Sequence, residues 1–454
     1  MFNLFRSIMA LTPKRVPIPP NGVDYRGKVV LAPMVRSGEL PSRLLSLKYG
    51  ADLVWGPETI DRSLIGASRR VNPRNSMIEF TRVPSNNGRK DQTKESVIYR
   101  IDPRREKGRL VFQMGTASPV RAVEAAHVVA ADVAGIDVNA GCPKPFSTMG
   151  GMGAALLKTP DLLVEILEAL VREVGSVYGI GISVKIRLLA KPEDTEQLVT
   201  RLCRTGITGL TVHCRTTPMR PREAAIRDQL RMIAGVCREA GVACVMNGDV
   251  KSRDQAMELM REYGVDGAMI ATAAESNFSC FRTAEQGGLL PWRELVHDYL
   301  DAAIKCENKW GNTKFLLNIM IPGKARQFNG AKQSKGYEEC CQILEFEDLI
   351  PRAQEADRIL ELGKYREAPK SAAAQKALKQ NETAMAAGGS SSTKSAKPDL
   401  SSHGPGPIRH NSSSSSKSST PSTTETTTTT GMTTPVEQPV STPEPAQVSN
   451  SMSG

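Results

Sequence analysis

The chain has 454 residues, 40% of them hydrophobic, and a formal net charge of +11. That length allows two domains and a tail, and no stretch approaches the roughly 18 consecutive apolar residues that a helical membrane span needs. The positive balance favours an anionic partner such as nucleic acid without requiring one, because many basic proteins touch none.

Residues 1–23 contain no acid and carry Arg6, Lys14 and Arg15. This is a faint transit-peptide pattern, but a frayed basic terminus accounts for it better. The expected location is the cytoplasm, with the nucleus as a second site and the mitochondrion as the weaker alternative. Nine cysteines, an odd number with no CxxC pair, read as free thiols in a reducing compartment. His213 and Cys214 are adjacent but lack a second ligand pair, so no metal is expected.

Eight short apolar runs follow: VVLAPMV from Val29, DLVWGPE from Asp52, RLVFQMG from Arg109, GIDVNAGC from Gly135, ISVKIRL from Ile182, GLTVHCRT from Gly209, VACVMNGD from Val242 and GAMIATAA from Gly267. They are β-branched and nearly continuous, as strands buried on both faces are. Amphipathic stretches long enough for helices separate most of them, for example AVEAAHVVAADVA and DLLVEILEALVREV. Eight such units predict a (β/α)8 barrel over residues 28–288, after an N-terminal extension over 1–27. A doubly wound sheet would prefer GxGxxG after its first strand, where this chain has APMV.

Between the second and third runs lie some fifty residues (~50, far above the usual loop length). SMIEFTR and SVIYRID alternate there like a hairpin, and Arg62 to Arg109 hold thirteen Lys or Arg against five acids. This is either a solvated surface hairpin or a nucleic-acid-facing loop on the barrel rim. Residues 289–365 read as a small helical domain. Lys305 to Lys335 carry seven Lys or Arg and one acid, and Lys305, Lys309, Lys324 and Arg326 are candidate phosphate contacts. Trp310, Phe315 and Phe328 fit core packing better than base stacking. Residues 366–454 are rich in Ser, Thr, Pro and Gly, with SSSSS and TTTTT runs, and are expected to be disordered.

In such a barrel the reactive groups sit at the C-terminal ends of the strands. In chain order those ends carry Pro33, Met34 and Val35; Gln113; Asn139 and Cys142; Lys185 and Arg187; His213 and Arg215; Asn247, Gly248 and Asp249; Ala271 and Thr272. Each alone has an ordinary explanation, but so many polar groups converging on one mouth are hard to explain as packing. The set suits a flavin. Lys185 can supply the cation that an electron-rich reduced ring needs, and Gln113 can pair with its pyrimidine edge. The small residues of the last two turns let backbone N–H groups approach a phosphate.

LAPMV, DVNAGCP, VKIR, VHCRT and NGD, in this order and at these strand ends, resemble the tRNA-dihydrouridine synthase family. GCPKPFSTMGGMGAALL and the HCRT turn resemble most closely its eukaryotic branch acting at position 20 of tRNA. The likeness spans roughly residues 28–363. It implies an FMN enzyme, with NADPH as reductant, that reduces uridine in tRNA. The family's flavin contacts fall on Pro33, Met34, Val35, Gln113, Lys185, His213, Asn247, Gly248, Asp249, Ala271 and Thr272. Its proton donor falls on Cys142, and its substrate-handling positions on Asn139, Arg187 and Arg215, with the helical domain gripping tRNA. Thr272 departs from the arginine usual in that branch. A monomer is expected. The alternatives are an RNA-binding protein whose flavin function has lapsed, which the Thr272 departure favours, and an FMN barrel acting on a small molecule.

Overall fold

The computed structural model describes residues 15–83 and 95–365. The expectations for the Ser/Thr-rich tail, for the first fourteen residues and for the middle of the long insert fall outside them. Each of the eight apolar runs forms a strand: β1 (Lys28–Leu31), β2 (Leu53–Trp55), β3 (Leu110–Gly115), β4 (Gly135–Ala140), β5 (Gly181–Leu188), β6 (Gly209–Thr216), β7 (Ala243–Asn247) and β8 (Gly267–Ile270). Each pairs in parallel with the next, and β8 pairs back with β1, Gly267 opposite Lys28, so the barrel closes and leaves no edge. Nearly every strand residue is buried, because the helices outside cover one face and the barrel interior takes the other.

Two cores result. The outer one lies between strands and helices, and several of those helices start from a capping or proline signal. Ser118 Oγ accepts Arg121 N ahead of helix Pro119–Val129, and Ser252 Oγ accepts Gln255 N ahead of helix Arg253–Tyr263. The inner core closes the N-terminal end of the barrel with Val23, Tyr25, Val30, Trp55, Val111, Val245 and Met269. The Tyr25 ring packs tilted against Trp55 at 5.7 Å, and a Cβ on Gly209 would lie 2.5 Å from the Tyr25 ring, so the start of β6 must be glycine. Residues 15–27 are therefore not a frayed terminus. Val16 N donates to Gly241 O and Asn21 N to Gly179 O, and Tyr25 plugs the barrel floor.

The long β2–β3 connection forms a three-stranded antiparallel sheet, Ser68–Val71, Ile78–Arg82 and Ser96–Ile101. The hairpin is there, but SRRV adds a third strand whose residues are all exposed and show no alternation. Ile78, Phe80, Tyr99 and Ile101 pack on the barrel wall, with the Tyr99 ring 4.9 Å from Phe112. Much of the insert's charge is spent on docking. Arg69 pairs with Asp132 and Arg74 with Glu307, while Arg100 pairs inside the insert with Glu79 and donates to Glu307 O outside it. It is thus neither a free hairpin nor a bare cationic loop over its described length.

Past the barrel come helices Trp292–Lys305, Trp310–Met320, Tyr337–Leu344 and Ile350–Ile359. Trp310 is buried with Nε1 donating to Ser334 O, and Phe328 is buried under Trp292. Phe315 differs: it is half-exposed, with the Arg36 guanidinium 4.5 Å above its ring. Asn312 Nδ2 donates to Glu39 Oε1, which pins helix Trp310–Met320 beside the barrel mouth.

Candidate active site

The C-terminal ends of the strands enclose two clefts that meet at His213. The larger, about 490 Å³, is lined by Pro33, Met34, Val35, Gln113, Asn139, Cys142, Lys185 and Arg187, together with Arg36, Glu58, Lys144, Glu275 and Phe315. The smaller, about 340 Å³, is lined by Arg215, Asn247, Gly248, Asp249, Ala271 and Thr272. The rim residues expected from the strand ends thus face one trough.

Cys142 stands on the loop past β4, and that loop is tied from both sides. Asn139 Oδ1 accepts the N–H groups of Gly141 (2.9 Å) and Cys142 (3.0 Å). Arg187 Nε donates to Gly141 O (2.8 Å) and its Nη1 to Thr216 O (2.9 Å). Asn139 and Arg187, expected to handle substrate, spend these atoms on aiming the thiol. Cys142 itself is half-buried, and burial, seconded by the nearby Glu58 carboxyl, pushes its thiol above the ordinary range. It therefore carries its proton at neutral pH.

Under the cleft, Lys185 Nζ donates to Asn247 Oδ1 (3.0 Å). Burial, then the neighbouring Arg187 charge, lowers its pKa to about 8, while Asp137 acts the other way. Asp137 is a buried acid inside β4, raised to about 6 by burial. It accepts from Gln113 Nε2 (2.8 Å) and Ser183 Oγ (2.7 Å), which orients the Gln113 amide. Asn139 Nδ2 faces the other end of that amide, 3.4 Å from Gln113 Oε1. His213 is driven down to about 2 by burial and then by the charges of Lys185, Arg187 and Arg215, so it is a neutral ring.

The smaller cleft is shaped by backbone. Gly248 has φ +126, and a Cβ there would sit 3.2 Å from Ala225 Cβ; Asp249 follows at φ +51. Gly248 adopts its conformation freely, but for Asp249, which has a Cβ, a positive φ costs energy and persists where the surroundings over-determine it. Here Arg215 does so. It bonds Glu223 O (2.7 Å), Pro221 O (3.1 Å), His213 Nε2 (3.2 Å) and Asp249 Oδ1 (2.5 Å) and is buried. Burial raises the Asp249 carboxyl, but the bonds from Arg215 and Ala225 N outweigh it, and Asp249 stays ionised. Thr272 is exposed at the start of the short helix Thr272–Ser276, with Ala271 half-buried before it.

The four cations expected of the helical domain do not share one setting. Lys305 pairs with Asp301 (2.5 Å) and lines a separate cleft of about 430 Å³ with Lys48 and Arg105. Lys309 Nζ donates to Val97 O (2.7 Å) in the insert. Lys324 and Arg326 are exposed and pair with no acid among the described residues. Among the described residues no group of three or more His, Cys, Asp or Glu could hold a metal ion. No helix of the described residues is long and apolar enough to cross a membrane.

Arg36, Glu58, Lys144 and Glu275 of the cleft lining, and Asp137 beneath it, were missed from sequence. Glu58 ends the DLVWGPE run, so the rule that strand ends carry function would have found it had the second strand been included. Asp137 was visible as an acid inside an otherwise apolar buried strand.

The arrangement can take a flat ring with hydrogen-bonding edges over Lys185 and Gln113, and a polar tail along the Asn247–Asp249 turn, with a protonated thiol at the open side. The family model for dihydrouridine synthase (Dus) matches residues 30–342. The tRNA-dihydrouridine(20) synthase (NAD(P)+) of Schizosaccharomyces pombe is 49% identical over 330 residues, covering 72% of this chain and 66% of its own length, just under two thirds. The protein of the same name from Saccharomyces cerevisiae is 45% identical, covering 71% of this chain and 84% of its own length. A human tRNA-dihydrouridine(20a/20b) synthase-like protein is 28% identical over 61% of this chain and 76% of its own. A closed parallel barrel, a thiol aimed by Asn139 and Arg187 at its mouth, and a family match across most of the chain agree: the chain belongs to the dihydrouridine synthase family.

Proposed function

We propose that this protein reduces a uridine of tRNA, at position 20 in the D-loop, to 5,6-dihydrouridine, with FMN bound at the barrel mouth and NADPH as the electron source. The observation that carries the reading is Cys142: a thiol kept protonated, on a loop fixed by Asn139 and Arg187, at the open side of a cleft floored by a cation. The names of the yeast relatives, tRNA-dihydrouridine(20) synthase (NAD(P)+), support tRNA as the substrate and a nicotinamide as the electron carrier.

The residues present fit FMN. Lys185, held by Asn247, would supply positive charge to the flavin, and the Gln113 amide, oriented by Asp137, would offer it a hydrogen bond. The strained Gly248–Asp249 turn and the Thr272 hydroxyl offer small polar groups to the phosphate. Bound and reduced, FMN supplies the hydride that uracil C6 receives. Cys142 gives its sulfur-bound proton to C5, with a neutral His213 in the same cleft. The uridine has to leave its stack to reach the mouth. Lys324 and Arg326, exposed and unpaired among the described residues, are better placed to meet phosphates than Lys305 and Lys309, which already have partners.

The test separates two half-reactions. Purified protein with NADPH and an unmodified tRNA transcript should gain dihydrouridine at position 20, read by mass spectrometry. In Cys142→Ala, flavin reduction by NADPH should keep its rate, while reoxidation by tRNA slows by roughly two to four orders of magnitude, the usual loss for a general acid. Reoxidation as fast as in the parent would remove Cys142 from the role.

A further inference from the structure

Beside Cys142 lies a carboxyl group that the chemistry above does not use. Glu58 follows β2 and enters the larger cleft. Its Oε1 accepts from Ser147 Oγ (2.9 Å), and Ser147 is fully buried on the loop that carries Cys142. Its Oε2 is buried with no hydrogen-bond partner. The carboxyl is wedged in place: a Cβ on Gly115 of β3 would lie 2.6 Å from Glu58 Oε1. Glu58 as a whole is half-buried and no ion pair neutralises it among the described residues, although a carboxylate oxygen taken out of water without a partner is costly. That cost calls for a purpose.

Charges around the thiol supply one. Lys185 and Arg187 of β5 line the same cleft as Cys142, Lys144 stands on the thiol's own loop, and Arg36 and Glu275 line the cleft as well. His213 is neutral. Cations beside a cysteine pull it toward thiolate, and a thiolate cannot donate a proton. We propose that Glu58 is a positioning residue that fixes the protonation state of Cys142: tethered through Ser147 to the thiol's loop, its carboxyl opposes the surrounding cations and keeps the sulfur proton-bearing. Two neighbouring acids penalise each other's ionisation. Burial followed by the Glu58 charge raises Cys142; Glu58 itself is raised by burial, with hydrogen bonding from Ser147 and Cys142 acting the other way.

The inference rests on Cys142 being the proton donor, but its test reads the thiol directly. The flavin-loaded protein is alkylated with iodoacetamide from about pH 6 to about pH 10, a span that brackets an ordinary thiol, and label on the Cys142 peptide is followed by mass spectrometry. Glu58→Gln keeps size and can still bond Ser147 but carries no charge. Its alkylation profile should move to lower pH, with roughly threefold to tenfold faster labelling at about pH 8 once the lower nucleophilicity of a more acidic thiol is allowed for. Glu58→Asp, which keeps the charge, should stay close to the parent. A Gln profile that superimposes on the parent overturns the inference. So does an Asp profile displaced as far as the Gln one, since that would report packing rather than charge. If Cys142→Ala still reduced tRNA at the parent rate, the donor reading would fall, while the alkylation profiles would still report on the Glu58–Cys142 pair.

Discussion

Arg43 and Lys185 are both cations taken out of water, and the chain treats them in opposite ways. Arg43, behind the barrel wall, is 1% exposed and fully compensated. Its Nε and Nη2 reach both oxygens of buried Glu106 (2.6 and 3.2 Å), and the rest of the guanidinium donates to Gly38 O and Arg100 O. Burial alone would lower it, but Glu106 outweighs burial and holds it firmly charged. Lys185, at the mouth, has a neutral amide oxygen for its one hydrogen bond, a second cation beside it, and an acid, Asp137, whose pull does not offset its burial. A satisfied buried charge is scaffold. An under-compensated one at the open end of a barrel marks where an electron-rich partner is meant to sit.

The comparison can be broken at either residue. Glu106→Ala leaves Arg43 buried and unpaired, which should cost about 3–5 kcal/mol of unfolding free energy. Denaturant unfolding of the flavin-loaded protein measures it, and a loss under about 1 kcal/mol, the range of an exposed pair, would show that Arg43 is not the scaffold charge it is taken for. Lys185→Met should do the reverse. Stability holds or rises, because a poorly compensated cation has been removed, while FMN affinity falls roughly ten- to a hundredfold, the range for a lost charged hydrogen bond. Flavin titration of the apoprotein reads the second effect. Equal losses of stability and flavin binding in both variants would erase the distinction.

The sequence made one class of this information legible and hid another. Strands β1 to β8 were readable because each is a short β-branched run, and the rim because it is fixed by where those runs end. The insert's cations were countable, but their fate was not: Arg69 pairs with an acid 63 positions away and Arg74 with one 233 away. Tyr25 sits among Pro, Gly and charged residues with no periodicity, and its burial depends on glycines at the starts of distant strands. The resemblance places Asn139 and Arg187 among the substrate-handling positions, but their bonds to the Cys142 loop were not legible, because strand ends predict position and not which hydrogen bonds a side chain makes.

Lys185 also makes a pH prediction. Its folded pKa of about 8 lies below its unfolded value of 10.5. Between those values the unfolded chain binds more protons at this group than the folded chain does, so this contribution to stability rises with pH across that window. Below about pH 8 the fold carries the full penalty of a charged Lys185. Other groups titrate in the same range, so the readout is the difference between parent and Lys185→Met. The parent should gain on the variant as pH rises through the window in apoprotein unfolding. A difference that stays flat would mean that Lys185 is not depressed in the fold.

The smallest effect concerns cations on the surface. Removing a lysine or arginine that neutralises a tRNA phosphate lowers the slope of log affinity against log salt by about 0.7 to 0.9. Lys324 and Arg326 are exposed and unpaired among the described residues, so Lys324→Ala with Arg326→Ala should flatten the slope by nearly two such contacts while weakening binding. Lys305 and Lys309 must first give up Asp301 and Val97 O, so alanine at both should change the slope less. Filter binding of tRNA over a range of salt, with flavin content as the folding control, compares the pairs. If the two pairs flatten the slope equally, the bonds seen at Lys305 and Lys309 yield to phosphate on binding. Distinguishing paired from unpaired cations then predicts grip only in the barrel, where burial fixes partners, and not on the surface, where water lets them exchange.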